Sequence, residues 1–248
     1  QWSLVGSEMC IRDRDNAPWD ARAEFEAPCN QSVFDAVMLT TGASILATEL
    51  ALAQGLAMNI GGGFHHSFAD HGEGFCIIND IAVSIRDIQT KGLASKIAVL
   101  DCDVHQGNGT AKIFESDPSV FTFSIHQENN YPIKEKSDLD IGLPDRCDDT
   151  LYLEKLEEGL QTVLSEFKPD LIHYVAGADP FKYDQLGGLD ISLEGLARRD
   201  HVILDHAAQS GIPVVATLAG GYAMDTADVV TIHYNLARQM FERSAGGE

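Results

Sequence analysis

Lys96-Ile97-Ala98-Val99-Leu100-Asp101-Cys102-Asp103-Val104-His105 sets a continuous apolar run directly against polar, reactive side chains. Such a run reads as a strand covered on both faces, as parallel sheets require. Alternate residues of a strand share a face, so Asp101, Asp103 and His105 would point together if the strand continued through them. A strand buried on both faces does not hold three such groups unpaired. The strand is therefore expected to end near Leu100 or Asp101, with the polar groups at its carboxyl tip, where parallel α/β sheets bind their ligands. Two oxygen ligands and one nitrogen ligand suit Zn²⁺ or a neighbouring divalent transition metal. The same five residues also read as an acidic loop with an exposed histidine.

On either side, apolar runs alternate with helical periodicity. Helices are predicted over 32–54, with Ser32 as a cap and a break near Gly42, and over 77–89, 108–116, 150–167, 193–210 and 226–242. Strands are predicted over 56–60, 96–100, 120–125, 171–176 and 213–219, and residues 126–148 form the longest irregular stretch. This alternation predicts one α/β domain, a mainly parallel sheet with helices on both faces. Four strand ends run into chemistry: Gly61-Gly62-Gly63-Phe64-His65-His66, the 101–105 cluster, Gly177-Ala178-Asp179 and Gly220-Gly221-Tyr222. In a parallel sheet those ends share one edge, so residues distant in sequence can converge there. Taken singly, each has a plainer reading: a solvated histidine loop, a helix cap at Asp179, a tight turn with a packing ring.

The chain has 248 residues, 44% hydrophobic and 22% charged, as expected of a soluble globular domain, and no apolar run approaches a membrane span. A net charge of -21 argues against a nucleic-acid groove or a polybasic membrane surface. Cys10, Cys29, Cys76, Cys102 and Cys147 form no CxxC pair, which favours a reducing, cytoplasmic location over a disulfide framework. Ser3-Leu4-Val5-Gly6-Ser7-Glu8-Met9-Cys10-Ile11-Arg12-Asp13-Arg14 has the character of a translated sequencing-adapter read. Residues 1–14 are accordingly expected to be non-native, with 15–248 a catalytic domain lacking its own amino-terminal segment and any targeting signal there.

Five motifs together resemble the zinc-dependent histone deacetylase family: Gly63-Phe64-His65-His66; Gly72-Glu73-Gly74-Phe75-Cys76 with Asn79-Asp80; Asp101-x-Asp103-x-His105-Gln106-Gly107-Asn108-Gly109; Gly177-Ala178-Asp179-Pro180; and Gly220-Gly221-Tyr222. The resemblance is strongest to the class IV type and its bacterial relatives, and covers about residues 30–240 in order. It implies the arginase/deacetylase fold with an eight-stranded parallel sheet. It also implies hydrolysis of acetyl or longer acyl groups from lysine side chains or related acylated amines.

By that resemblance Asp103, His105 and Asp179 are the metal ligands, with Zn²⁺ the implied ion and Fe²⁺ or another divalent metal the alternative. His66 is the implied general base, Asp101 orients His65, and Asn108 partners His66 where several other classes carry an aspartate. Tyr222 is the implied oxyanion donor. Gly74, Phe75 and Tyr131 match the substrate channel, and Asp101, Asp103, His105, Ser124 and Ile125 match a monovalent cation site for K⁺. Cys76 and Cys102 are expected to pack structurally, and the remaining histidines complete no second ligand set.

Two rivals carry different marks. A two-manganese ureohydrolase of the same fold needs more carboxylates than Gln106-Gly107-Asn108 supplies. A silent module that binds acylated amines would be expected to have lost Tyr222 or a ligand, and neither is lost.

Overall fold

The computed structural model describes residues 28 and 30–245. Helix α1 spans Gln31–Gln54, and the side chain of Asn30, not Ser32, accepts the Val33 N–H at its start. It runs unbroken through Gly42. It is followed by β1 (Leu56–Asn59), α2 (Asp80–Thr90), β2 (Ile97–Asp101), α3 (Asn108–Phe114), β3 (Val120–Gln127) and β4 (Leu139–Leu143). Next come α4 (Asp149–Thr162), a π-helical turn at Val163–Phe167, β5 (Leu171–Val175), α5 (Leu193–Ser210), β6 (Val214–Thr217) and α6 (Thr226–Ala245).

Among the described residues six strands, rather than eight, form one sheet in the order β1-β6-β5-β2-β3-β4. Every pairing is parallel. The expectation for residues 1–14 lies outside the described residues.

Strand alternation divides the core into two layers. Ala98, Leu100, Phe123, Ile125, Ile172 and Tyr174 join α4, α5 and α6 on one face. Ile97, Val99, Val120, Leu171 and Val175 join α1, α2 and α3 on the other. Each fully buried Ile, Leu or Val contributes about 1.5–3 kcal/mol relative to exposure, so both layers anchor the central strands β5 and β2.

Three further departures from the sequence expectation have local causes. The 126–148 stretch contains β4, an edge strand whose alternate residues are exposed and whose Asp140 and Gly142 carry no strand propensity. Residues 77–79 belong to a loop, because Asn79 accepts the Ala82 N–H and starts α2 one turn later. The predicted helix over 150–167 gives way to the π-turn, whose end Lys168 is left-handed. Helix α1, contrary to the sequence reading, is long and apolar enough to cross a membrane, with a mean hydropathy of 1.6 over an 18-residue window. In the fold it buries Ala47 and Ala51 in the core it shares with α2, and its polar Ser44 hydrogen-bonds Asp80 at 2.5 Å.

Candidate active site

The carboxyl ends of β1, β6, β5 and β2 are neighbours, so the loops leaving them meet around one cavity of about 350 Å³. Its lining includes His65, His66, Gly74, Phe75, Asp103, His105, Tyr131, Asp179 and Tyr222. Every one of those residues was expected from the sequence. Asp101 and Asn108 stand behind the two histidines.

Asp103, His105 and Asp179 are buried, and their ligand atoms lie within 4.8 Å of one another. Backbone hydrogen bonds fix both carboxylates. Asp103 accepts the Gly220 N–H at 2.8 Å and the His105 N–H at 2.9 Å, and Asp179 accepts the Val104 N–H at 2.9 Å. A side chain at position 220 would run into Asp179 and Asp103, so only glycine lets that N–H reach Asp103. Burial and the neighbouring Asp103 push the Asp179 carboxyl up to about 7. His105 is pushed up to about 10, because its contacts to Asp103 and Asp179 outweigh the burial that opposes its charge. Oδ2 of Asp179 is buried without a hydrogen-bond donor and has His105 Nδ1 at 3.2 Å in an ion contact. Crowded anionic oxygens, one of them an orphan, fit a divalent cation, which would replace the protons that otherwise relieve the repulsion.

The adjacent histidines differ sharply. His65 Nδ1 lies 2.7 Å from Asp101 Oδ2. Burial opposes its charge, but Asp101 and Asp103 override this and raise His65 to about 9. His66 Nδ1 meets Asn108 Oδ1 at 2.8 Å. Burial, reinforced by the neighbouring His65 charge, holds His66 well below the usual histidine range.

Tyr222 is fixed by its N–H to Asp184 Oδ2 at 2.6 Å, and its ring centroid lies 6.2 Å from that of Phe75. Burial and the carboxylates of Asp103 and Asp179 raise its hydroxyl far above the usual range, which keeps it a proton donor. Phe75 and Tyr131 are both partly exposed at the mouth, and the Tyr131 ring stands edge-on to His66 and His105. Gly74 sits between them: a β-carbon there would meet the Tyr131 hydroxyl at 2.7 Å and the His66 ring at 2.8 Å.

Of the residues matched to a monovalent cation, Asp101 and Ser124 are register partners across β2 and β3. The Ser124 hydroxyl lies 2.9 Å from His126 Nδ1.

Several contributors escaped the sequence. Glu73 bonds both Asn108 and Tyr131. Leu186 and Asn130 line the cavity, and so does Cys76, which was expected only to pack. Arg199, fully buried on α5, donates to the carbonyls of Gly177 at 2.6 Å and Cys102 at 3.3 Å. It thereby braces the two loops that carry Asp179 and Asp103. An arginine on a predicted amphipathic helix gives no signal of that role.

The class that this fold and site define is that of the histone deacetylase domain. The chain is similar to the crystal structure of an HDAC homolog complexed with SAHA, with a TM-score of 0.83 and 26% identity, covering 97% of this chain and 68% of that one. The family model of the histone deacetylase domain matches residues 6–237, and the chain belongs to that family. An uncharacterised protein of Picosynechococcus sp. is 46% identical over 88% of this chain and 73% of its own length. Histone deacetylase 2 of Arabidopsis thaliana is 36% identical over 80% of this chain, which spans 52% of that relative.

Proposed function

We propose that the chain removes acetyl or longer acyl groups from lysine side chains of proteins, or from related acylated amines, at this site. The observation that carries the reading is the convergence of Asp103, His105 and Asp179 on the floor of a cavity that also presents His66 and Tyr222. Asp103, His105 and Asp179 would hold Zn²⁺, or Fe²⁺ in its place; when bound, the ion supplies a Lewis acid that polarises the amide carbonyl and acidifies water.

The remaining steps belong to side chains. Neutral His66 takes the proton of the attacking water and returns it to the departing amine. His65, kept cationic by Asp101, places positive charge beside the tetrahedral intermediate. Tyr222 donates its hydroxyl to the developing oxyanion, a contribution of a few kcal/mol for a preorganised donor. Phe75 and Tyr131 enclose the aliphatic stem of the substrate, and the Gly74 carbonyl accepts its amide N–H.

K⁺ would be held by oxygens of Asp101, Asp103, His105, Ser124 and Ile125. Asparagine at 108 supports the class IV subgroup. Cys76, Cys102 and Cys147 are free thiols, which supports a cytoplasmic location.

The test combines metal analysis with turnover of acyl-lysine peptides and acetylpolyamines. Tyr222→Phe should lower kcat by about 10²–10³-fold, and chelation should abolish turnover. Unchanged rates after either treatment would sink the mechanism.

A further inference from the structure

Glu73 lies outside the set of residues that the chemistry requires, yet it touches two of them. The Glu73 N–H donates to the Cys76 carbonyl at 3.0 Å, and the Cys76 N–H returns to the Glu73 carbonyl at 2.8 Å. These bonds close a two-residue turn in which Gly74 and Phe75 both have positive φ, 51° and 65°. Such a turn fits a right-twisted hairpin, and the Glu73 side chain is held by the two bonds that its carboxylate accepts. Its Oε1 accepts from Asn108 Nδ2 at 2.8 Å and from the Tyr131 hydroxyl at 2.9 Å. Its Oε2 has His71 Nε2 at 3.7 Å.

The orientation of Asn108 follows from donor and acceptor roles alone. An ionised carboxylate only accepts, so the amide NH₂ of Asn108 must face Glu73 and its oxygen must face His66. That oxygen also only accepts, so His66 Nδ1, 2.8 Å away, carries the hydrogen. In the neutral ring the lone pair is then on Nε2, as a base requires. An asparagine without such a neighbour can turn through 180°, donate to Nδ1 and place the hydrogen on Nε2, where it disables the base. An aspartate in the same place would need no such control.

The geometry points to Glu73 as a positioning residue that sets the tautomer of His66 through Asn108 and ties the Tyr131 wall to the same carboxylate oxygen. Its effect on turnover rests on the deacylase reading above; its effect on the imidazole does not.

The experiment pairs nitrogen NMR of the histidine rings in the metal-free protein with turnover of an acetyl-lysine peptide by the zinc-loaded protein. In the wild type, neutral His66 should carry its hydrogen on Nδ1. Glu73→Ala should populate the other tautomer and lower kcat by about 10–100-fold, as removal of an outer hydrogen-bond partner typically does. Asn108→Asp should lower kcat in the wild type, where it sets two carboxylates face to face, and restore it in Glu73→Ala, where the new carboxylate accepts from Nδ1 directly. Should Glu73→Ala fail to fold, the same comparison in Glu73→Gln decides, because that side chain can donate to the introduced carboxylate. An unchanged tautomer in Glu73→Ala, or the same fold-change for Asn108→Asp in both backgrounds, overturns the proposal. A wild type with the expected tautomer and no turnover overturns the deacylase reading instead.

Discussion

The inner and outer halves of the cavity floor handle the same residue type in opposite ways. On the inner side, His65 rests against the buried carboxylate of Asp101 and is raised to about 9. On the outer side, His66 has its ring centroid only 4.0 Å from that of His65, but it leans on the amide of Asn108, and burial lowers it. Two neighbours in sequence are thus driven apart, one toward the cation and the other toward the neutral ring. The difference comes from the charge of the group at Nδ1, and the first histidine's charge amplifies it by suppressing protonation of the second. The outer chain continues through Asn108 to Glu73 and Tyr131 at the mouth, whereas the inner chain ends at the buried carboxylate of Asp103.

Substitutions should separate the two halves. The largest effect is expected from Asp103→Ala, which touches both: bound metal should fall to background by elemental analysis, and turnover by at least about 10³-fold, the several kcal/mol such an ion supplies. Next, His66→Ala should reduce kcat by about 10²–10⁴-fold while leaving bound metal intact. Metal loss in that variant would break the division between the halves.

A smaller effect, seen in stability rather than rate, is expected from Asp101→Asn in the metal-free protein. A histidine raised in the folded state from 6.5 to about 9 contributes stability that is complete below about pH 6.5 and lost as the pH rises through 9. The variant should therefore be destabilised by up to about 3 kcal/mol at pH 6, and the gap should narrow toward pH 10 in denaturant melts. A gap that widens with pH would reverse the assignment of charge to His65.

Much of this was legible in the chain. The run 97–100 followed by Asp101, Asp103 and His105 announced a parallel strand with reactive polar groups at its tip. The same logic applied to three other strand ends recovered His65, His66, Asp179 and Tyr222. β4 was not legible, since an edge strand with alternating exposure and an internal glycine lacks the apolar run that marked the others. Glu73 and Arg199 were missed for a different reason. One is a partly exposed carboxylate beside a glycine and the other a charged residue on an amphipathic helix, and both patterns ordinarily mean a solvated side chain. The one available clue was the Gly72-Glu73-Gly74-Phe75 segment, whose glycines suit a tight turn.

The sequence by itself determined the order of the helices and of every strand but β4, the edge at which reactive groups gather, and the residue types able to bind a metal. These follow from periodicity and from where polar groups can stand at the end of a buried strand. Only the tertiary structure decided which histidine carries charge, which way Asn108 faces, and that Glu73 and Arg199 support the site. Protonation and amide orientation depend on partners 35 to 42 residues away along the chain, within about 3 Å in space, and no local pattern encodes such a meeting.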